Sequence, residues 1–313
     1  MARQLLSGGA QRLYLLGHGE NSIYQIDREL RLLQEEGVGE KATIIPIIGD
    51  LKDRNFMGYI LERLKVDVVF HAAAYKHVPM TEENPVAAIE NNVLGTDNLL
   101  AACLEQGVKR FVLISTDKAV DPVSVYGASK QLCEKLVLSA GEKVKNGHNY
   151  MVVRFGNVLG SRGSIMPLFQ SQIEKGGPVT ITHPEASRWF MTIPEACSLV
   201  LKTGGVGKNG SLYLLDMGEP VRIRDLAEQM IRFYGFEPEK DIAIEYIGLR
   251  PGERLDERLW GDDETPIATE FPVSGELNEG VKPFTTCPSS LRRLKRFACL
   301  ARAQIIAIAT VCC

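Results

Sequence analysis

The sequence has 313 residues, 45% of them hydrophobic and 24% charged, with a formal net charge of -3. That balance allows a sizeable core in one large domain or two, and it gives no electrostatic reason to expect nucleic acid. The cysteines (Cys103, Cys133, Cys197, Cys287, Cys299, Cys312, Cys313) form no CxxC pair, and the histidines (His18, His71, His77, His148, His183) stand at no zinc-site spacing. A reducing compartment, the cytoplasm, and no metal are therefore expected. No secretory leader is expected, and no run reaches the ~18 apolar residues that a membrane helix needs.

In chain order, residues 1–7 predict the last turns of a helix closed by Gly8 and Gly9. A strand over 11–16 leads through Gly17, His18 and Gly19 into an amphipathic helix over 22–36. GHGENS invites comparison with a dinucleotide-binding GxGxxG loop, but Ser22 stands where the third glycine belongs. A strand over 42–48 ends in GDLKD, with Asp50, Leu51 and Asp53, and one over 66–70 runs into HAAAYKHVP. Alternating strands and helices predict an α/β fold with a mostly parallel sheet. Ala72, Ala73 and Ala74 either let a flat ligand approach the backbone or serve helix-to-sheet packing. A long helix over 87–106 carries NNVLGT, with Asn91, Asn92 and Thr96 spaced to face the sheet.

The densest cluster of proton-transfer groups follows a strand over 110–114 and reads STDKAVDPVSVYGASK, residues 115–130. It lies where open parallel sheets bind ligands, at the C-terminal edge. Tyr126 and Lys130, four apart on a predicted helix, share a face, so the ammonium favours the phenolate and suits Tyr126 to general-base work. An ordinary helix with an exposed lysine is the plainer alternative. Asp117 and Lys118 are either a solvated loop pair or an acid and a base placed for an elimination across neighbouring atoms.

Taken together, GENSIYQIDREL, HAAAYKHVPMTEENP, NNVLGTDNLL, STDKAVDPVSVYGASK, VVRFGNVLGSRGSIMPLF, PEASRWFMTIPEA and GLRPGERLDERL resemble the polysaccharide-biosynthesis group of extended short-chain dehydrogenases/reductases. These are the UDP-N-acetylglucosamine 4,6-dehydratases and their relatives, and the resemblance runs over residues 1–261. It implies a Rossmann-like doubly wound parallel sheet, a smaller C-terminal lobe for the nucleotide sugar, NADP or NAD as cofactor and a UDP-sugar as substrate. Under it, Tyr126 accepts the proton of the sugar 4-hydroxyl, Thr116 hydrogen-bonds that hydroxyl and Lys130 holds the cofactor ribose. Lys118 removes the C5 proton, and Asp117 protonates the departing 6-hydroxyl. Asp followed by Lys after the threonine resembles the C5-inverting type, and the tyrosine at 126 resembles the soluble members. Asp50, Leu51, Ala72, Ala73, Ala74, Lys76, Asn91, Tyr126, Lys130 and Asn157 are the implied cofactor contacts. Arg162, Arg188, Arg250 and Glu253 are the implied substrate contacts, since guanidinium forks match phosphate oxygens. A 4-epimerase of the same fold needs the tyrosine but not the Asp117–Lys118 pair, and a non-catalytic fragment is the third reading.

Two departures from the family pattern stand out. Aligned by its blocks, the chain starts inside the family's first helix, so the first strand and its glycine-rich loop would precede Met1, and the strand over 11–16 is the family's second. The missing strand belongs between that one and the strand over 66–70, which predicts two unpaired strands, a poorly folded chain and weak cofactor binding. After Pro272 the pattern fades into a divergent tail with a basic run, LRRLKR, and a short apolar segment broken by Arg302. That segment is too short and interrupted for membrane association to be expected. The domain expectation is an incomplete dinucleotide-binding unit over 1–155, a substrate lobe over 156–271 with segments returning to the sheet, and a tail over 272–313. A homo-oligomer is compatible with the sequence, which is silent on assembly.

Overall fold

The computed structural model describes residues 1–161 and 163–269, together with the strands over 274–278 and 304–308. Its first half alternates strand and helix: α1 (Ala2–Ser7), β1 (Arg12–Gly17), α2 (Glu20–Glu35), β2 (Thr43–Ile48), α3 (Arg54–Leu64) and β3 (Val68–His71). Then come α4 (Val78–Glu83), α5 (Pro85–Ile89), α6 (Gly95–Glu105), β4 (Arg110–Ile114), α7 (Val125–Gly141) and β5 (Asn149–Arg154). The helix expected over 87–106 is interrupted by a π-helical turn, Glu90–Leu94, between α5 and α6. Such turns widen a helix locally and are frequent at functional sites.

The second half interleaves short strands with three helices. These are β6 (Asn157–Leu159), α8 (Ile165–Glu174), β7 (Val179–Ile181), β8 (Ser187–Arg188), β9 (Phe190–Thr192), α9 (Ile193–Val206) and β10 (Leu212–Leu215). They are followed by β11 (Val221–Arg222), α10 (Ile223–Phe233), β12 (Ile244–Tyr246), β13 (Thr265–Ala268), β14 (Ser274–Asn278) and β15 (Gln304–Ile308).

Among the described residues, nine strands form one sheet in the order β13-β14-β10-β5-β4-β3-β15-β1-β2. It is parallel from β10 to β2, and β14 runs antiparallel to both β10 and β13. The central strands are mostly apolar, with β3 and the middle of β4 fully buried, because both faces of a doubly wound sheet are covered. The two covers can be told apart: α7 and α9 both pack on β4, but α7 neighbours α6, which in turn neighbours α3, whereas α9 neighbours α1. One hydrophobic core spans sheet and helices. A smaller one, built from Phe169, Ile173, Val179, Ile181, Ile223, Ala227, Ile231, Ile242 and Ile244, holds α8, α10, β7 and β12 together.

The sheet corrects one expectation. The gap predicted between β1 and β3 is filled by β15, which pairs in parallel with both, Ile306 standing opposite Tyr14 on one side and Val69 on the other. The segment is rich in isoleucine, and a strand slot bordered on both sides by unpaired backbone favours any apolar β-former that can reach it. Of the tail, only 274–278 and 304–308 are described; the LRRLKR run, Arg302, Cys312 and Cys313 lie outside the described residues. Among the described residues no helix is long and apolar enough to cross a membrane, and no three His, Cys, Asp or Glu side chains gather as metal ligands.

Candidate active site

The chain leaves β4 between two fixed backbones. Ser115 N donates to Val153 O at 2.7 Å, and Asp117 N to Phe155 O at 3.1 Å, so the exits of β4 and β5 stay paired beyond the strands themselves. A tight 3₁₀ turn over Asp117–Ala119 follows. The Ser124 side chain accepts from Gly127 N at 3.0 Å and caps α7. Gly127 is demanded by this arrangement: a Cβ there would collide with the carbonyl oxygen of Lys118. The first turn of α7 is thereby laid against the 3₁₀ turn, which brings the faces carrying 116–118 and 126–130 together.

Asp117 is fully buried. Its Oδ1 accepts from Thr116 Oγ1 at 2.8 Å and from Lys118 Nζ at 3.1 Å, while Oδ2 has no hydrogen-bond partner among the described residues. Gly156 faces that free oxygen, where a Cβ would come within 3.1 Å of Oδ2 and 2.9 Å of Trp189 Cβ. Lys118 Nζ also lies 3.4 Å from Glu257 Oε1. Burial pulls the Lys118 ammonium toward its neutral form and Arg188 adds to this, but Asp117 and Glu257 outweigh both and hold its pKa above the usual lysine value. Lys130 is 2% exposed, and burial lowers its pKa against the opposing pull of Cys133 and Glu134.

Lys118 and Lys130 open on a cavity of about 740 Å³ lined by Ala72, Ala74, Lys76, Thr116, Lys118, Tyr126, Lys130, Asn157, Arg250 and Glu253, whereas Asp117 lies behind its wall. A neighbouring one of about 760 Å³ shares Lys118, Asn157, Arg250 and Glu253 and adds Arg188 and Glu257. Ala73 points into the core at 2% exposure. Arg250 is paired with Glu253 at 2.6 Å. The Arg188 guanidinium donates to the carbonyls of Ser187, Leu255 and Arg254 at 2.6, 2.7 and 2.8 Å, so much of its donor capacity is already used. Asp50 Oδ1 accepts from Lys52 N at 2.9 Å, and the Leu51 carbonyl accepts from Asn98 at 3.0 Å; neither residue lines these two cavities. Arg162 lies outside the described residues.

Asn91 and Asn92 sit in the π-helical turn, both buried. Asn92 does the holding: Oδ1 accepts from Tyr75 N at 2.7 Å, and Nδ2 donates to Tyr75 O at 3.0 Å and to Ser129 Oγ at 2.9 Å. Asn91 donates to Asn92 Oδ1 at 3.0 Å. One amide therefore fastens the loop after β3 to α7. Sequence reasoning singled out Asn92 only as a polar group facing the sheet, and it missed Glu257 altogether. The NNVLGT spacing carries the signal for Asn92, whereas nothing in the local sequence links Glu257 to Lys118.

Comparison with known proteins sets this geometry in context. Residues 1–277 match the family described as polysaccharide biosynthesis protein. The chain is 48% identical over 264 residues to the capsular polysaccharide biosynthesis protein CapD of Staphylococcus aureus, covering 84% of this chain and 43% of that protein, so it spans less than half of that relative's length. It is 33% identical over 262 residues to a UDP-N-acetylglucosamine 4,6-dehydratase (inverting) of Campylobacter jejuni, covering 83% of this chain and 75% of that one. Among solved structures, Pen from Bacillus thuringiensis superposes with a TM-score of 0.73 at 33% identity over 86% of this chain and 90% of that one. The dTDP-glucose 4,6-dehydratase DesIV of Streptomyces venezuelae, solved with NAD and TYD, matches with a TM-score of 0.64 at 20% identity, over 79% of this chain and 88% of that one, a likeness of fold alone. Matched over most of its length by the family and by relatives above 30% identity, the chain belongs to the polysaccharide-biosynthesis family of extended short-chain dehydrogenases/reductases.

Proposed function

We propose that this chain carries the site of a nucleotide-sugar 4,6-dehydratase that acts on UDP-N-acetylglucosamine with inversion at C5. The observation that carries the reading is the pairing of Lys118 Nζ with Asp117 Oδ1 at 3.1 Å at the edge of the cavity that Tyr126 and Lys130 also line. In this reading residues 1–155 hold the cofactor and 156–271 the sugar nucleotide, with β10 and β13 returning to the sheet, and the enzyme works in the cytoplasm.

The residues at hand fit a nicotinamide dinucleotide. Ala72 and Ala74 give a flat floor at the exit of β3, and Tyr126, Lys130 and Asn157 border the same cavity. NAD or NADP, when bound, supplies the hydride acceptor for oxidation at C4 and the hydride returned at C6. Tyr126 takes the 4-hydroxyl proton, and the buried Lys130 ammonium favours the phenolate that does so. Thr116 donates to Asp117 Oδ1 at 2.8 Å and accepts from Lys118 N at 3.4 Å; turned to the substrate, the same O–H donates to the sugar O4, whose own proton goes to Tyr126.

A 4-keto group acidifies C5, and the elimination then needs a neutral amine and a carboxylic acid. Lys118 and Asp117 rest as a charged pair, so transfer of one proton across their contact creates both at once. The Lys118 amine takes the C5 proton. Asp117 gives its proton to the 6-hydroxyl, which leaves as water. C5 is finally reprotonated with a solvent-exchangeable proton.

Incubation of the protein with UDP-N-acetylglucosamine and NAD or NADP in D₂O, followed by NMR, tests this. The expected product is a 4-keto-6-deoxy sugar with deuterium at C5 in the inverted configuration. Retention at C5 overturns the role of Lys118, and a C4 epimer as the sole product replaces the dehydratase with an epimerase.

A further inference from the structure

We infer that Glu257 is a positioning residue for Lys118, aiming its amine from the substrate lobe and holding the proton on it. The inference rests on the dehydratase reading only for its catalytic consequence. The contact itself is a feature of the fold: Glu257 is 8% exposed, and its carboxylate lies 3.4 Å from Lys118 Nζ, which also contacts Asp117.

The segment around Glu257 is fastened on every side. Its own carbonyl accepts from Trp189 Nε1 at 3.0 Å. Immediately before it, the carbonyls of Arg254 and Leu255 receive the Arg188 guanidinium. Just beyond it, Leu259 O receives Arg154 Nη1 at 3.0 Å. A buried carboxylate on so constrained a backbone has little freedom to turn from the cation it contacts, and an unpaired buried carboxylate is costly.

The charges around Lys118 fix the sign. Asp117 and Glu257 contact it and Arg188 opposes them, while Lys76, His77, Tyr126, Lys130 and the paired Arg250 and Glu253 line the same cavities. Two anions on one ammonium favour the protonated amine. Removing one lowers the pH at which Lys118 becomes a base, since an opposite charge at this range moves a pKa by about 1 to 3 units.

Competitive acetylation of the full chain across pH, read by mass spectrometry of the peptide holding Lys118, tests this without relying on turnover. In the wild type, the labelling midpoint of Lys118 is expected above that of exposed lysines such as Lys145; a midpoint at or below theirs overturns the inference without any variant. In Glu257→Gln, Lys118 labelling at pH 8 is expected to rise about tenfold or more, and Glu257→Asp, which keeps the charge, should stay close to the wild type. A folded Glu257→Gln protein whose Lys118 labels within twofold of the wild type sinks the proposal. The acid limb of C5 deuterium exchange should move to lower pH in the same variant. Absence of exchange in the wild type with the labelling shift intact rejects the dehydratase reading and leaves the Glu257–Lys118 pair standing.

Discussion

Arg154 and Glu134 meet fork to fork in the interior: Arg154 Nε and Nη2 donate to the two Glu134 oxygens at 3.1 and 2.7 Å, with side chains 3% and 4% exposed. Ser115 Oγ also donates to Glu134 at 2.6 Å, and Arg154 Nη1 reaches Glu264 at 2.7 Å. Burial works against the Arg154 charge, but Glu134 and Glu264 raise its pKa further than burial lowers it. The pair thus joins β5, α7, the β4 exit and the segment before β13. Arg154→Met strands a buried carboxylate, and a loss of about 3 to 5 kcal/mol in urea denaturation is expected. A loss below about 1 kcal/mol would show that the pair contributes little beyond packing.

Asn92 ties the loop after β3 to α7 through its amide. Asn92→Ala leaves Tyr75 N and O unpaired, with an expected cost of about 1 to 3 kcal/mol. Hydrogen exchange at the Tyr75 amide should accelerate in step with that loss, and unchanged protection there would contradict the assignment.

Gly127 and Gly58 both lie in helices but should respond oppositely to alanine. At Gly58 nothing lies within 4 Å of an added Cβ, so Gly58→Ala is expected to raise stability by up to about 1 kcal/mol through helix propensity. Gly127→Ala pushes α7 off the Lys118 carbonyl, and a displacement of that order can lower turnover about 100-fold. Equal, neutral behaviour of the two variants in thermal melts and turnover would rule out the tight packing of α7 on the 3₁₀ turn.

His71 closes β3 in full burial, with Nε2 2.8 Å from Thr96 Oγ1. Because the Thr96 hydroxyl donates to Asn92 O at 2.5 Å, it accepts from Nε2–H, which leaves Nδ1 without a proton or a partner among the described residues. Burial, aided by the Lys130 charge, pushes the His71 pKa from 6.5 down to about 3. The unfolded chain therefore binds the proton first on acidification. This contribution to stability is complete above pH ~6.5 and is lost as pH falls toward ~3, at up to about 1.4 kcal/mol per unit. Denaturation curves across that window should show the slope, and His71→Asn should flatten it.

The strand β15 makes a prediction about the whole sheet. Deleting residues 304–313 unpairs the facing edges of β1 and β3, and each buried unpaired group costs about 1 to 3 kcal/mol against a total stability of about 5 to 15 kcal/mol. Loss of cooperative unfolding by circular dichroism is expected. An unaltered melting transition would show that β15 is dispensable.

Local pattern determined much of this protein. The apolar runs at 11–16, 42–48, 66–70 and 110–114 became strands within a residue or two, because alternation of strand and helix and burial on both faces are written in short-range composition. The cluster over 115–130 was also legible, since strand exit, cap and helical spacing set Thr116, Lys118, Tyr126 and Lys130 along one edge. Tertiary structure alone decided the rest. Only packing turns Asp117 inward with one oxygen free and selects Asn92 as the fastening amide. The sequence reading left β1 and β3 unpaired, yet β15 enters from the far end of the chain, because backbone hydrogen bonding is indifferent to sequence distance. Glu257 comes to Lys118 for a related reason: Trp189, Arg188 and Arg154 fasten its segment beside the β4 exit, and a contact between segments so far apart in the chain leaves no periodicity to read.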